Sequence, residues 1–443
     1  MDRSKHRSDR TDLGGIDPAD YHQTPPQNPQ TIQPPVMTAT VADARFASIS
    51  AAAPDAILGL TEAFLADPNP EKMNLSVGVY KNAEGITPIM RCVKLAEQRL
   101  VETESTKGYL PIDGHADYRH HLCRLIFGDA ADHTRVAAVQ SPGGTGGLRV
   151  AAAFVGTQMG GGQMGGATVW MSNPTWANHK NIFAAENVPI ETYGYLTDDR
   201  RSLDFGAMID DLKTKPSAGD VVLLHACCHN PTGIDPTDDQ WQQIAEVLSE
   251  RRLIPLLDFA YQGFGRGIDQ DAAAIRTVMR HCDEMIVCNS FSKNFGLYSE
   301  RVGGISVLAR DADTADIVRS QLKRLIRSNY SNPPRHGAAV VATILDDAEL
   351  TEIWQTELSQ MRDRIHSLRQ SFVQTMANTG SGHDFGFLNQ QSGMFSYSGL
   401  TPMQVDQLKN QHSIYMVGSG RINVAGMTEA RMQTLCNAVA SVL

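Results

Sequence analysis

From about residue 90 to residue 345, short apolar segments alternate with stretches whose apolar residues recur at helical spacing. The short segments predict buried strands at 168–171, 221–224, 253–257 and 285–288. Such alternation is typical of βαβ units, in which helices cover both faces of a mostly parallel sheet. The fold class predicted for this region is therefore α/β.

After about residue 345 the pattern changes to a long helix, two short strands and a final helix, which is typical of a smaller α+β domain. These elements are expected at 350–375, 394–397, 421–424 and 429–443. A chain of 443 residues is also long enough for two domains. We expect a large domain at 88–360 and a small domain that combines 46–87 with 361–443.

Residues 1–45 carry many prolines and glutamines among mixed charges, so they bury too little apolar surface to fold. We predict a disordered tail and entry arm there. The interspersed aspartates are not typical of an organelle transit peptide. The glycine-rich segment 156–166 predicts a flexible surface loop rather than a phosphate loop.

Composition narrows the classes of partner and compartment. The net charge of −10 without a long basic run argues against nucleic acid and anionic membranes. No apolar stretch approaches the ~20 residues of a transmembrane helix. The seven cysteines are odd in number and several lie in apolar runs, which predicts reduced core residues of a cytoplasmic protein.

The segment 290–304, SFSKNFGLYSERVGG, directly follows the predicted strand at 285–288. Lys293 is therefore expected just past the carboxyl end of a strand, where open α/β sheets bind their ligands. A lysine there can lose its charge through desolvation and attack a carbonyl group. Arg301 and the neighbouring serine hydroxyls are suited to holding a phosphate. These features together predict a site where pyridoxal phosphate (PLP) bonds to Lys293.

Other motifs place polar groups after predicted strands. The glycines at 143–147 precede a predicted helix from Leu148, whose N-terminus attracts anions. Asp258 ends the strand at 253–257, where a buried carboxylate needs a positive partner. The histidines and cysteines of 225–229 suggest zinc, but ligands so close on one strand point to opposite faces. No second cluster completes the set, so no metal is expected.

In order and spacing, these motifs resemble those of the aspartate and aromatic aminotransferases, class I enzymes of subclass Iα among the fold-type-I PLP enzymes. The resemblance covers nearly the whole chain after about Phe46. It implies a mostly parallel central sheet flanked by helices, plus a smaller α+β domain. It also implies that PLP is bound by Gly144, Thr145, Trp176, Asn230, Asp258, Tyr261, Ser290, Ser292, Lys293, Arg301 and Tyr109.

Individual roles follow from the same resemblance. Trp176 would stack on the pyridine ring, and Asp258, oriented by His179, would pair with the protonated pyridine nitrogen. Asn230 and Tyr261 would hydrogen-bond the oxygen on the ring.

The resemblance further implies how a substrate is held. Arg421 would clamp the α-carboxylate, and Arg327 would bind the side-chain carboxylate of a dicarboxylic substrate. Arg327 and Tyr109 would reach the site from the neighbouring subunit, which makes the protein an obligate homodimer. Gly78, Trp176 and Asn230 complete the implied substrate-binding set, and Lys293 and Tyr109 are the implied catalytic residues.

The sequence thus predicts a ping-pong aminotransferase that uses L-aspartate and 2-oxoglutarate and yields oxaloacetate and L-glutamate. Gly108 stands where aspartate-specific members usually have asparagine, so an aromatic (tyrosine or phenylalanine) aminotransferase is the alternative. A PLP lyase or decarboxylase on the same fold is a remote alternative. It would share Lys293, Asp258 and Arg421 but would not need Arg327.

Overall fold

The computed structural model describes Phe46 and residues 48–51, 56–160 and 166–443. The predicted tail at 1–45 and the centre of the glycine-rich segment lie outside the described residues. The chain divides into two units, residues 1–53 and 54–443. In the first unit, the amide of Ile49 donates to the carbonyl of Phe46 at 3.1 Å. The described helices and strands lie in the second unit.

The strands, numbered along the chain, are β1 (Met73–Asn74), β2 (Val136–Pro142), β3 (Val169–Asn173), β4 (Ile190–Gly194), β5 (Val221–His225), β6 (Ile254–Phe259), β7 (Met285–Ser290), β8 (Val302–Leu308), β9 (Phe395–Tyr397), β10 (Ile414–Tyr415) and β11 (Arg421–Asn423). Seven of them form one sheet in the order β2-β8-β7-β6-β5-β3-β4. Strands β3 to β7 pair in parallel, whereas β8 runs antiparallel to both β7 and β2. The predicted mostly parallel sheet is confirmed.

The helices are α1 (Ala56–Ala66), α2 (Arg91–Thr103), α3 (Ala116–Phe127), α4 (Gly143–Gln158), α5 (Asn178–Ala184), α6 (Phe205–Thr214), α7 (Asp238–Glu250), α8 (Ile268–Asp271), α9 (Ala273–His281), α10 (Ala312–Asn329), α11 (His336–Asp346), α12 (Ala348–Ala377), α13 (Pro402–His412) and α14 (Met432–Ser441). Several begin at capping residues that the sequence supplies. Thr237 and Gln240 form a capping box at α7, and Asp347 accepts from the Leu350 amide at α12.

The central sheet is buried on both faces because successive residues of a strand point to opposite sides. On β5, Val221 and Leu223 pack into one apolar cluster together with Leu322 of α10. Val222 and Leu224 pack into the other cluster. This arrangement explains why the inner strands read as continuous apolar runs.

Strands β2, β3, β5, β6 and β7 all end at the same edge of the sheet, because β2 runs parallel to β7 across the antiparallel β8. Five of the candidate motifs follow these ends, whereas Gly78, Tyr109, Arg327 and Arg421 lie elsewhere in the fold. The sequence placed the helix start at Leu148, but α4 already begins at Gly143. Glycine costs a helix only about 1 kcal/mol per residue, which packing on the sheet offsets.

The remaining strands form two smaller sheets of two strands each. Strand β1 pairs in parallel with β10, and β9 pairs antiparallel with β11. The predicted strands near 394–397 and 421–424 are confirmed, whereas the division into a large and a small domain stays a prediction. The predicted loop at 156–166 begins later than expected, since residues up to Gln158 belong to α4. None of the described helices combines the length and apolar character needed to cross a membrane.

Candidate active site

A cavity of about 220 Å³ opens at the carboxyl edge of the central sheet. Most of the residues predicted for the site line it, although they come from widely separated parts of the chain. Its lining comprises Gly78, Gly144, Thr145, Leu148, Trp176, Asn230, Asp258, Ala260, Tyr261, Ser290, Ser292, Lys293, Tyr298, Arg301, Phe395 and Arg421.

Lys293 lies three residues after the end of β7, as the sequence predicts. Its Nζ lies 5.0 Å from the centre of the Tyr261 ring. Burial, assisted by the positive charge of Arg301, lowers the pKa of Lys293, and the opposing effect of Asp258 does not cancel this. The loop is also tied to α12, since Trp354 donates to the carbonyl of Asn294 at 2.8 Å. A lysine held in this way can act as a nucleophile or as a base.

Asp258 is a buried carboxylate at the carboxyl end of β6. Its Oδ2 lies 3.1 Å from Nε2 of His179, whose Nδ1 lies 2.8 Å from the hydroxyl of Thr175. Burial acts to raise the pKa of Asp258, but the bond from His179 and the nearby positive groups bring it below its ordinary value. The carboxylate therefore stays ionised and can accept a proton-bearing partner.

The first turn of α4 faces Ser290, Ser292 and Arg301 across the cavity. Arg301 donates to Oγ of Ser292 at 3.2 Å, and Ser290 donates to the same oxygen at 3.0 Å. A Cβ on Gly144 would lie 3.0 Å from Cβ of Ser290, so a larger residue would narrow this space. A helix N-terminus, two hydroxyls and a guanidinium form a cradle suited to a phosphate.

Arg421 is buried at the start of β11, with only 5% of its surface exposed. It donates to the carbonyl of Ser76 at 2.6 Å and lies 3.5 Å from Oδ1 of Asn230. Burial lowers the pKa of Arg421, and no carboxylate counters that effect among the described residues. A buried guanidinium without a carboxylate partner is costly and is well placed to receive one from a ligand.

Aromatic rings and a glycine shape the rest of the cavity. Phe395 covers Arg421, with 4.3 Å between the ring centre and the guanidinium carbon. A Cβ on Gly78 would lie 2.6 Å from that ring, so a larger residue there would require the ring to move. The side-chain Nδ2 of Asn230 donates to the hydroxyl oxygen of Tyr261 at 3.4 Å, and burial raises the pKa of that phenol. Trp176 packs edge-on against His179, with 5.2 Å between the ring centres.

Two predicted site residues lie apart from this cavity. Tyr109 has 95% of its surface exposed. Arg327, in the last turn of α10, is also exposed and donates to Oγ of Ser331 at 2.6 Å. Neither lines the cavity within one chain. Their action in a neighbouring subunit stays a prediction.

The cavity also contains groups that the predicted site did not include. Leu148, Ala260, Tyr298 and Phe395 all line it. Tyr298 accepts a hydrogen bond from the amide of Tyr80, which joins the lysine loop to the segment that carries Gly78. The signal for Tyr298 was its place in the lysine motif.

Within the described part of the chain, two buried groups have the composition of metal ligands. One of them is Cys227, Cys228 and Asp271. The sequence predicts these cysteines on a strand, but β5 ends at His225 and the two thiols lie together after it. Burial raises the pKa of Cys227, and Asp271 already accepts from three backbone amides. The other group is His179, His225 and Asp258. The expectation of no metal stays a prediction.

Comparison with known proteins agrees with this geometry. Residues 70–439 match the family described as aminotransferase class I and II. An aspartate aminotransferase of Haemophilus influenzae is 49% identical over 401 residues, covering 90% of this chain and 100% of that protein. An aromatic-amino-acid aminotransferase of Pseudomonas aeruginosa is 47% identical over 400 residues, covering 90% of this chain and 98% of that protein.

A solved structure is similar over the same region. The aromatic-amino-acid aminotransferase of Burkholderia pseudomallei, covalently bound to pyridoxal phosphate, is 45% identical and superposes with a TM-score of 0.87. The match covers 90% of this chain and 99% of that one.

Proposed function

This chain belongs to the family of class I and II aminotransferases, and we propose that it transfers the amino group of L-aspartate to 2-oxoglutarate. The products are oxaloacetate and L-glutamate. It is a transaminase that uses PLP, like the relatives that it matches over nine-tenths of its length. The assignment to amino acid substrates rests mainly on one observation: Arg421, buried and without a carboxylate partner among the described residues, lines the same cavity as Lys293. The preference for aspartate rests on the proposed role of Arg327.

The residues in the cavity fit PLP by charge and by space. The cradle at Gly144, Ser290, Ser292 and Arg301 suits the phosphate, and Lys293 is the amine that can bond the aldehyde carbon. Asp258 keeps its negative charge despite burial, so it suits a protonated pyridine nitrogen. When bound, PLP supplies the aldehyde for covalent attachment and a conjugated ring that accepts electrons from the substrate.

The chemical step depends on groups of this chain. As a free amine, Lys293 would be the general base that takes the proton from the substrate's Cα, and the resulting ammonium group would be the general acid that gives the proton up again. Asp258 stabilises positive charge at its end of the cavity, and His179 keeps that carboxylate oriented. Trp176 and Phe395 bound the cavity with apolar surface, which limits the water around the reacting atoms.

We assign the two arginines to the two carboxylates of aspartate. Arg421 binds the α-carboxylate through its planar pair of donors, which a lysine would not reproduce. Arg327 binds the side-chain carboxylate from the partner subunit, which accounts for its exposure in a single chain. Tyr109, 95% exposed, reaches the phosphate of the other subunit in the same way. The protein is then a homodimer whose sites are each completed by both subunits.

Subunit complementation tests this sharing. Lys293→Ala and Arg327→Leu chains, co-expressed with different tags, should regain roughly a quarter of the wild-type activity on aspartate. Random pairing makes half of the dimers mixed, and each mixed dimer has one intact site. That site combines Lys293 of one chain with Arg327 of the partner subunit. If Arg327 acted within its own chain, no intact site would form and activity would stay at the level of the single variants.

The preferred substrate follows from kcat/KM measured with aspartate, tyrosine and phenylalanine, each with 2-oxoglutarate on PLP-loaded enzyme. We expect aspartate to exceed the aromatic amino acids by about 10²-fold, the value of a well-placed charged contact. Equal or higher values for the aromatic substrates would instead favour an aromatic aminotransferase. The similarity to aromatic-amino-acid aminotransferases and Gly108 beside Tyr109 make that the second candidate.

The half-reaction with aspartate alone tests the remote alternative, a lyase or decarboxylase. Aspartate alone should convert the bound cofactor to its amine form and release one oxaloacetate per site, and the reaction should then stop. A lyase or decarboxylase would keep releasing product without that conversion. Cofactor absorbance and oxaloacetate assays distinguish the two outcomes.

The enzyme is proposed to work in the cytoplasm, because all seven cysteines are buried and unpaired in the described structure. The small domain, 46–87 with 361–443, is proposed to close over the substrate. It carries Gly78, Phe395 and Arg421, whereas the large domain carries Lys293 and Asp258.

A further inference from the structure

Arg369 is a buried charged residue that the mechanism above does not use. It lies in the last third of α12 with 2% of its surface exposed. Burial lowers the pKa of Arg369 to about 10, so the side chain still carries its charge at neutral pH. No carboxylate balances that charge among the described residues. Burying an unpaired guanidinium destabilises the fold, so a purely packing role would be better served by an apolar residue.

The hydrogen bonds of Arg369 go to the segment that precedes and begins β9. One terminal nitrogen donates to the carbonyl of Gly393 at 2.6 Å, and Nε donates to Oγ of Ser396 at 3.2 Å. Phe395 lies between these two acceptors in the chain. Arg369 therefore binds the backbone of Gly393, before Phe395 in the chain, and the side chain of Ser396, after it.

The position of Phe395 decides the shape of the substrate cavity. Its ring lies over Arg421 and against the space beside Gly78. It also sits on β9, which pairs with the strand that carries Arg421: Phe395 opposes Asn423, and Tyr397 opposes Arg421. A shift of this segment would move the ring and its neighbouring strand together.

A second set of contacts holds the residue just before this segment. Ser392 donates through its hydroxyl to Asp235 at 2.6 Å and through its amide to the carbonyl of Gly233. These contacts fix the beginning of the segment to the turn after Asn230. They do not reach Ser396, where Arg369 adds a side-chain contact to the β9–β11 pairing and to the bond that the Tyr397 amide donates to Oε1 of Gln391 at 3.1 Å.

We propose that Arg369 is a positioning residue for substrate binding, which fixes segment 393–396 so that Phe395 covers the carboxylate held by Arg421. This inference rests on the proposed function, in which Arg421 binds the α-carboxylate. Since the amino acid and the oxo acid both carry that carboxylate, loosening the segment weakens the binding of both substrates. The Cα proton transfer depends on Lys293 and is affected much less.

The test is Arg369→Met, which removes the donors and the buried charge while keeping an unbranched side chain of similar length. We expect KM for aspartate and for 2-oxoglutarate each to rise about tenfold, with kcat changing less than about threefold. Ser396→Ala should raise both KM values by a smaller factor. The double variant should match Arg369→Met, because the contact with Ser396 is already lost in that variant.

A control separates positioning from general stability. Met376 lies two turns further along α12, with 1% of its surface exposed. Met376→Ala should lower Tm without changing either KM. If Arg369→Met lowers Tm but leaves KM unchanged, Arg369 is merely structural and the inference is wrong. Should Arg369→Met fail to fold, unchanged KM values in Ser396→Ala would overturn it equally.

The outcomes also separate this inference from the proposed function. If the wild-type enzyme did not transaminate aspartate, the proposed function would fail whatever the variants did. If the wild-type enzyme is active and KM is unaffected in the variants, only the role of Arg369 is rejected.

Discussion

Replacement of Lys293 by alanine is expected to lower kcat for transamination by about 10⁴-fold or more. The Nζ of Lys293 lies 5.0 Å from the centre of the Tyr261 ring, and among the residues that the structure describes no other lysine lines that cavity. The substitution removes both the covalent attachment and the base that moves the Cα proton. The variant should also lose the visible absorbance of the lysine-linked cofactor.

Cofactor retention shows whether the variant still has an intact site. The cradle at Gly144, Ser290 and Arg301 and the carboxylate of Asp258 remain in Lys293→Ala, so PLP should still bind without a covalent bond. Dialysis followed by a fluorescence assay for PLP measures this. Lys213→Ala, an exposed substitution in the last turn of α6, is the matched control and should leave kcat unchanged. Turnover near the wild-type rate in Lys293→Ala would overturn the assignment of the site.

Arg327→Leu is expected to reduce kcat/KM for aspartate by roughly 10²–10³-fold and to spare phenylalanine. Aspartate presents a second carboxylate, and removing its charged partner leaves that group without compensation in the closed site. Phenylalanine has no such group, so the same substitution should change kcat/KM for phenylalanine only slightly. The two values of kcat/KM, measured on the same preparation, give the ratio that decides the role.

Arg324 provides a control on the same helix. It lies one turn before Arg327 and is also exposed, where it donates to the side chain of Gln321 at 3.1 Å. Arg324→Leu should leave kcat/KM unchanged both for aspartate and for phenylalanine. An equal loss for aspartate and phenylalanine in Arg327→Leu would mean that Arg327 supports the structure and does not read the substrate. A loss of kcat/KM for aspartate alone would mean that Arg327, which lies outside the cavity of its own chain, determines the substrate preference.

Local sequence patterns predicted four of the seven strands of the central sheet, namely β3, β5, β6 and β7, but not β2, β4 and β8. The family resemblance supplied most of the cavity residues. Strands such as β5 and β7 are buried on both faces, so they appear as uninterrupted apolar runs with turns at their ends. Lys293 and Asp258 follow directly from such strands, because parallel strands present their carboxyl ends at one edge. The start of α4 was harder to predict. Glycines at 143–147 favour a turn when only local sequence is considered, and the sheet on which they pack is not apparent from it.

The contacts between distant segments were beyond the reach of local pattern. Arg369 reads as one more polar residue on a long amphipathic helix, and nothing near it in the sequence indicates Gly393 or Ser396. The proximity of Cys227 and Cys228 was likewise hidden, because it depends on where β5 ends.

By itself, the sequence determined the alternation of strands and helices and the chemistry that follows each strand, since both depend on residues within a few positions of one another. Only the tertiary structure decided which of those groups meet. Arg421 lies next to Asn230 across 191 positions of chain, and Arg369 holds the segment around Phe395. Such contacts arise because packing of distant elements, rather than local propensity, sets the positions of buried side chains.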